Sequence, residues 1–178
     1  MKNDKILIEF SNVLTQAFWA IWAIKHGIKN RHKTIPLAIF MHLPFSLMFH
    51  SALAVKKNHI NDEESKNFRR LDQCFIVVAC IFYALSLSGS VQYAFVVAAA
   101  VIPGIIELWY PSNTKQKRRI LVLVATFLAT LPILWKKGST AFAKAIGTLW
   151  ASFIPFIFGG WGHSVFHLGM IPYHAAIL

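Results

Sequence analysis

The sharpest chemical signal in the sequence is a pair of histidines four residues apart, His163 and His167 in GHSVFH. On a helix such a pair shares one face, so both imidazoles project toward one point and form a two-ligand claw for Zn²⁺. A second segment, FSLMFH at 45–50, sets Ser46 and His50 four apart, with His42 another four residues earlier. Asp72 follows in LDQ, directly after Arg69-Arg70 and Leu71. Three neutral imidazoles, His50, His163 and His167, would leave the fourth tetrahedral position of Zn²⁺ open for water, the arrangement of catalytic rather than structural zinc. The metal brings the pKa of such a water to about 7 and polarises a carbonyl. Asp72 is then the candidate to hold the water and accept its proton as general base. Ser46, one turn from His50, is the candidate donor to the water or to a developing oxyanion.

These groups matter because of what surrounds them. Of 178 residues, 56% are hydrophobic and 14% charged, and the mean hydropathy is +0.53; soluble domains run at about 25% charged. An ordinary soluble domain is excluded. The formal net charge of +11 does not point to nucleic acid, because Lys and Arg sit in short runs between long apolar stretches, the pattern of membrane topology. Apolar length and charge breaks predict an all-α membrane protein with seven transmembrane helices, near 7–25, 35–55, 70–88, 91–110, 119–135, 140–159 and 161–178, in a single domain over residues 1–178. The breaks are KHGIKNRHK at 25–33, the charged stretch Lys56 to Arg70, the Pro111-Ser112-Asn113 turn before KQKRR, Lys136-Lys137-Gly138, and two uncharged turns around Gly89 and Gly159-Gly160-Trp161-Gly162. The first apolar run carries Glu9 and Asn12 and is expected to be a retained helix, not a signal peptide. Cys74 and Cys80, six apart in one apolar segment, are not expected to form a disulfide.

In a seven-span arrangement, eleven Lys and Arg fall on the amino-terminal side and seven on the other, so the positive-inside rule places the amino terminus in the cytoplasm. Parity puts the end of span two and the starts of spans three and seven at the same membrane surface. At 1.5 Å per residue, His50, Asp72, His163 and His167 then lie within about 10 Å of it. An ionisable group inside a span is a functional candidate by default. His42, near mid-bilayer, reads as structural or pocket-lining, and His174 as packing or capping. His26, His32 and His59 read as loop residues in solvent, Glu9 and Asn12 as a polar contact within span one, and Glu107 as interfacial.

FSLMFH, LDQ and GHSVFH resemble, in order and in spans two, three and seven, the SxxxH, Asp and HxxxH motifs of the CREST superfamily of seven-helix membrane hydrolases. That superfamily includes the progestin and adipoQ receptors, the haemolysin-III-like proteins and the alkaline ceramidases. The resemblance implies a zinc held by His50, His163 and His167, Asp72 and Ser46 at the bound water, and hydrolysis of a lipid amide such as ceramide. The acidic amino-terminal calcium site of the alkaline ceramidases has no counterpart in MKNDKILIEF. The expected partner is a membrane lipid, as substrate or ligand. A non-catalytic, receptor-like lipid sensor with structural zinc shares every motif. A haem carrier is the third reading, and it leaves Ser46 and Asp72 without a role.

Overall fold

In the structure, a computed structural model describing residues 2–55, 63–110, 114–158 and 160–178, the chain forms α1 (Lys2–Lys29), α2 (Thr34–Val55), α3 (Glu63–Ser88), α4 (Val91–Glu107), α5 (Lys115–Thr130), α6 (Pro132–Lys137), α7 (Ser139–Phe158) and α8 (Trp161–Ile177). There is no strand among the described residues. Lys56, Lys57, His59, the Pro111-Ser112-Asn113 turn and Gly159 lie outside them. Ser90 and Thr114 cap α4 and α5, their hydroxyls accepting from the amides of Tyr93 and Lys117 at 3.2 Å. α5 and α6 are one rod bent at Leu131, because Pro132 has no amide proton to continue the ladder.

Among the described residues, five rods are long and apolar enough to cross a membrane: Asp4–Lys29, Thr34–Val55, Lys66–Ser88, Gln116–Lys137 and Ser139–Phe158. α4 and α8 have 17 residues each, short of the roughly 20 that a span ordinarily takes. The pattern of burial fits a multi-pass membrane protein. On α1, the outer face carries Leu7, Phe10, Leu14, Phe18, Ile21 and Ile28, all more than half exposed, while Asn12 and Gln16 are buried on the inner face. A water-soluble helix does the reverse. Apolar side chains outward and polar ones inward is the arrangement suited to hydrocarbon, where inward polar groups find partners.

The rods form a closed ring in the order α1, α2, α3, α5–α6, α7, α8 and back to α1, with α4 packed outside against α3 and α5. α1 is therefore wedged between α2 and α8. α2 turns Ile35, Ile39, His42, Ser46 and Phe49 inward, a spacing of three and four that keeps one face against α1 and α3. Deep in the bundle, the Tyr83 hydroxyl donates to His174 Nε2 at 2.5 Å, His174 Nδ1 donates to the Met170 carbonyl at 2.7 Å, and Trp19 stacks on the same imidazole. This ties α1, α3 and α8 together about two turns from His167. At the far end, Lys137 Nζ donates to the Ile177 carbonyl, satisfying the last turn of α8. His32 is half-buried instead of solvated and bonds Ser86 at 2.9 Å; burial first, then Lys137 and Lys136, holds its imidazolium below the usual histidine range. His26 is likewise inside α1 and half-buried.

α7 and α8 approach closely enough to exclude a side chain. A Cβ on Gly162 would collide with the Pro155 carbonyl oxygen, and one on Gly169 would collide with Ser152. The turn into α8 runs through Gly160 at φ +55°, a left-handed conformation that suits glycine. Backbone contact at Gly162 thus sets the register of His163, the next residue. Gly162→Val is expected to destabilise the solubilised protein by about 1–3 kcal/mol through overpacking. Gly147→Ala, where an added methyl meets no atom within 4 Å, is expected to stay within about 0.5 kcal/mol of the parent. Thermal unfolding of both variants checks the difference.

Candidate metal centre

His50 reaches the bundle interior from the last two turns of α2, and His163 and His167 from the first two turns of α8. One nitrogen from each of the three imidazoles lies within 4.8 Å of the others. The rings meet edge to face, with centroids 4.6 Å apart for His50 and His163, 4.7 Å for His163 and His167, and 5.6 Å for His50 and His167. His50 and His167 are buried and His163 partly so. Helices α2 and α8 are separated by α1 in the ring, so the cluster is an interior meeting point and not a direct helix–helix seam.

α1 fixes how these rings present themselves. His50 Nδ1 lies 2.8 Å from Glu9 Oε2. A carboxylate only accepts, so Nδ1 carries the proton and a neutral ring keeps its lone pair on Nε2. His167 Nδ1 lies 3.1 Å from the Asn12 carbonyl and 3.2 Å from the Thr15 hydroxyl, with the same consequence. Glu9 is held in turn by Asn12 Nδ2 at 3.1 Å, and Asn12 Oδ1 accepts from the Ser164 hydroxyl at 2.7 Å. Metal-ligating histidines almost always donate their other ring N–H to a carboxylate or carbonyl in this way, which fixes the tautomer and the ring orientation. The donor set therefore suits a borderline metal such as Zn²⁺.

Asp72 lies one helix away on α3. Its Oδ1 accepts from His42 Nε2 at 3.0 Å, and Ser46 stands beside the same carboxylate. His42 is therefore an anchor of the carboxylate, a role that residue type and depth did not reveal. Ser46 is buried on the same face of α2 as His42 and His50, close to Asp72. Asp72 stands within electrostatic reach of His50 and His163. Sequence reasoning missed Glu9, Asn12 and Thr15 as parts of the centre. The signal was the inward spacing Glu9, Asn12, Gln16 on an otherwise apolar helix, which marks a polar seam but not its partners.

The His42–Asp72 contact is testable by itself. His42→Phe leaves a buried carboxylate short of a donor and is expected to cost about 1–3 kcal/mol, while His42→Phe combined with Asp72→Leu recovers much of that loss. A double-mutant cycle read by thermal unfolding measures the coupling. Comparisons with protein-family models, with curated proteins and with solved structures find no match to this chain, so its functional reading rests on residues and geometry.

Proposed function

We propose that the chain is a seven-span, zinc-dependent membrane hydrolase that cleaves an amide in a lipid. The observation that carries this reading is the convergence of His50, His163 and His167, two of them with Nδ1 held by acceptors from α1. These three residues would hold the metal. When bound, Zn²⁺ supplies an acidified water and a Lewis acid for a carbonyl oxygen.

The chain's own groups account for the proton. Hydrolysis puts the oxygen of water on the acyl carbon, breaks the carbon–nitrogen bond and leaves one proton to be delivered to the departing amine. Asp72 takes the proton from water and returns it to the amine, its orientation held by His42. The burial of this carboxylate near His50 and His163, with His42 donating to it, favours a catalytic role over structural zinc, which needs no such base. Apolar interior walls suit an acyl chain.

The short helices are compatible with seven spans. At 1.5 Å per residue, the 17 residues of α4 or α8 reach about 26 Å, and local thinning of a roughly 30 Å hydrocarbon core costs little per ångström. With seven spans, the basic count favours a cytoplasmic amino terminus and the opposite side for Leu178. Reporters fused at the two ends are expected on opposite sides; a cytoplasmic reporter at Leu178 overturns the arrangement. Purified protein is expected to hold stoichiometric zinc and to lose it in the His163→Ala, His167→Ala double variant. Zinc that persists undiminished there removes the ligand assignment. Asp72→Asn is expected to retain zinc with hydrolysis reduced at least a hundredfold, in line with the loss of a general base. Zinc retained by a parent protein that turns over no lipid amide would instead favour the receptor-like reading.

A further inference from the structure

On the inner face of α1, one turn beyond Asn12, Gln16 is 1% exposed and its hydrogen bonding is incomplete. Trp19 Nε1 donates to Gln16 Oε1 at 3.0 Å. An indole nitrogen only donates, so the amide must turn its oxygen toward Trp19 and its nitrogen away. Trp19 is itself held, stacked at 5.1 Å on His174, which the Tyr83 hydroxyl and the Met170 carbonyl fix in place. Exchanging the two ends of the amide would therefore set donor against donor. In the orientation this imposes, Gln16 Nε2 meets no acceptor among the described residues, and its N–H groups are buried without a partner.

Contacts on either side give the height of this amide. α2 runs antiparallel to α1, with His50 bonded to Glu9, so Gln16 comes level with Leu43. α8 runs parallel to α1, with His167 bonded to Asn12 and His174 stacked on Trp19, so Gln16 comes level with Met170 and Ile171. At 1.5 Å per residue, it lies about 6 Å deeper than Asn12. Leu43, Met170 and Ile171 are apolar and pack on the core. The polar groups nearest in height are already engaged: the Thr15 hydroxyl donates to the Ser11 and Asn12 carbonyls, and His42 Nε2 donates to Asp72. A buried water needs two to four polar partners, and little is left here to hold one.

We infer that Gln16 Nε2 donates to a hydroxyl on the amine half of the lipid amide, a few bonds from the carbonyl that reaches the histidines, and so selects hydroxylated substrate. The inference rests on the hydrolase reading for the position of the carbonyl, and on the unpartnered amide for the hydroxyl. With the carbonyl at the histidines, the acceptors remaining on a neutral lipid amide are hydroxyl oxygens. One on the third carbon of a sphingoid base stands off from the carbonyl by a distance comparable with one turn of helix, whereas one on the acyl α-carbon sits beside the carbonyl itself. A site that hydrogen-bonds a substrate hydroxyl rejects the analogue lacking it, because the buried donor is then left unpaired.

The test uses the full chain in lipid nanodiscs with an N-acyl sphingoid base and the same lipid without the hydroxyl on the third carbon. Binding, kcat/KM and zinc content are measured on the same samples. The parent protein is expected to prefer the hydroxylated probe by about tenfold or more. Gln16→Met is expected to abolish that preference. Gln16→Met combined with Trp19→Phe removes both partners of the internal bond, leaves no buried group short, and is expected to abolish the preference as well. A third probe, carrying its hydroxyl on the acyl α-carbon of the deoxygenated base, is expected to behave like the unhydroxylated lipid; full recovery of the preference by that probe overturns the assignment to the amine half. Equal binding and kcat/KM of the parent for the first two probes overturns the inference without needing any variant to fold, and with zinc present and both probes hydrolysed it leaves the hydrolase reading standing. A preference that survives in both variants, or variants that slow both probes alike, reduces Gln16 to a structural residue and overturns its role. Selective binding lost in the variants, with neither zinc nor hydrolysis in the parent, supports recognition by Gln16 and removes the hydrolase reading.

Discussion

The arrangement of this bundle depends on buried polar groups of α1 finding partners on α2 and α8. Asn12 and Gln16 face inward on a helix whose outer surface is Leu, Phe and Ile. Polar groups at that depth have no water to fall back on, so a missing partner costs more than the hydrogen bond itself contributes. Glu9 on His50, the Asn12 carbonyl on His167 and the Asn12 amide oxygen on Ser164 meet that demand for Glu9 and Asn12, whereas Gln16 accepts from Trp19 within α1 and its Nε2 is left without a partner. The same bonds orient two imidazoles. Assembly of α1 between its neighbours and orientation of the His50 and His167 imidazoles are therefore one event.

The two carboxylates near the histidines are held in different ways, and the difference divides the labour. Glu9 receives the outer nitrogen of His50 and an amide from its own helix, so it belongs to the shell behind the cluster. Asp72 receives His42, two turns from His50 on α2, stands beside Ser46, one turn from His50, and comes from the next helix round the ring. α2 therefore serves both parts, with His50 in the cluster, His42 bonded to Asp72 and Ser46 beside it. Pro44, between those anchors, removes one backbone hydrogen bond in the same stretch, which membrane helices tolerate where neighbours pack around them.

Much of the centre is legible in the sequence because helical spacing is local information. The four-residue interval of His163 and His167, the Ser46–His50 interval and the shared depth of Asp72 follow from the chain and from 1.5 Å per residue. Which helices touch does not follow, since apolar faces of similar composition pack interchangeably in hydrocarbon. That is why His42 read only as structural or pocket-lining, and why the Glu9–Asn12 contact within α1, present at 3.1 Å, did not disclose their partners His50, His167 and Ser164. His26 and His32 read as solvated because charge runs look like loops, although α1 continues to Lys29 and the following turn folds back on Ser86. The segment 91–110 read as a full span by apolar length, whereas the helix there ends at Glu107 and has 17 residues.

The tight seam between α7 and α8 has a consequence for how the protein can change. Because the Pro155 carbonyl rests directly on Gly162, the height of His163 is gauged by main chain against main chain. Bulky lipid-facing groups on α7, such as Trp150, Ile154 and Ile157, take no part in that gauge. The outer coat of this hairpin can therefore be refitted to a thicker or thinner bilayer while the imidazole keeps its place.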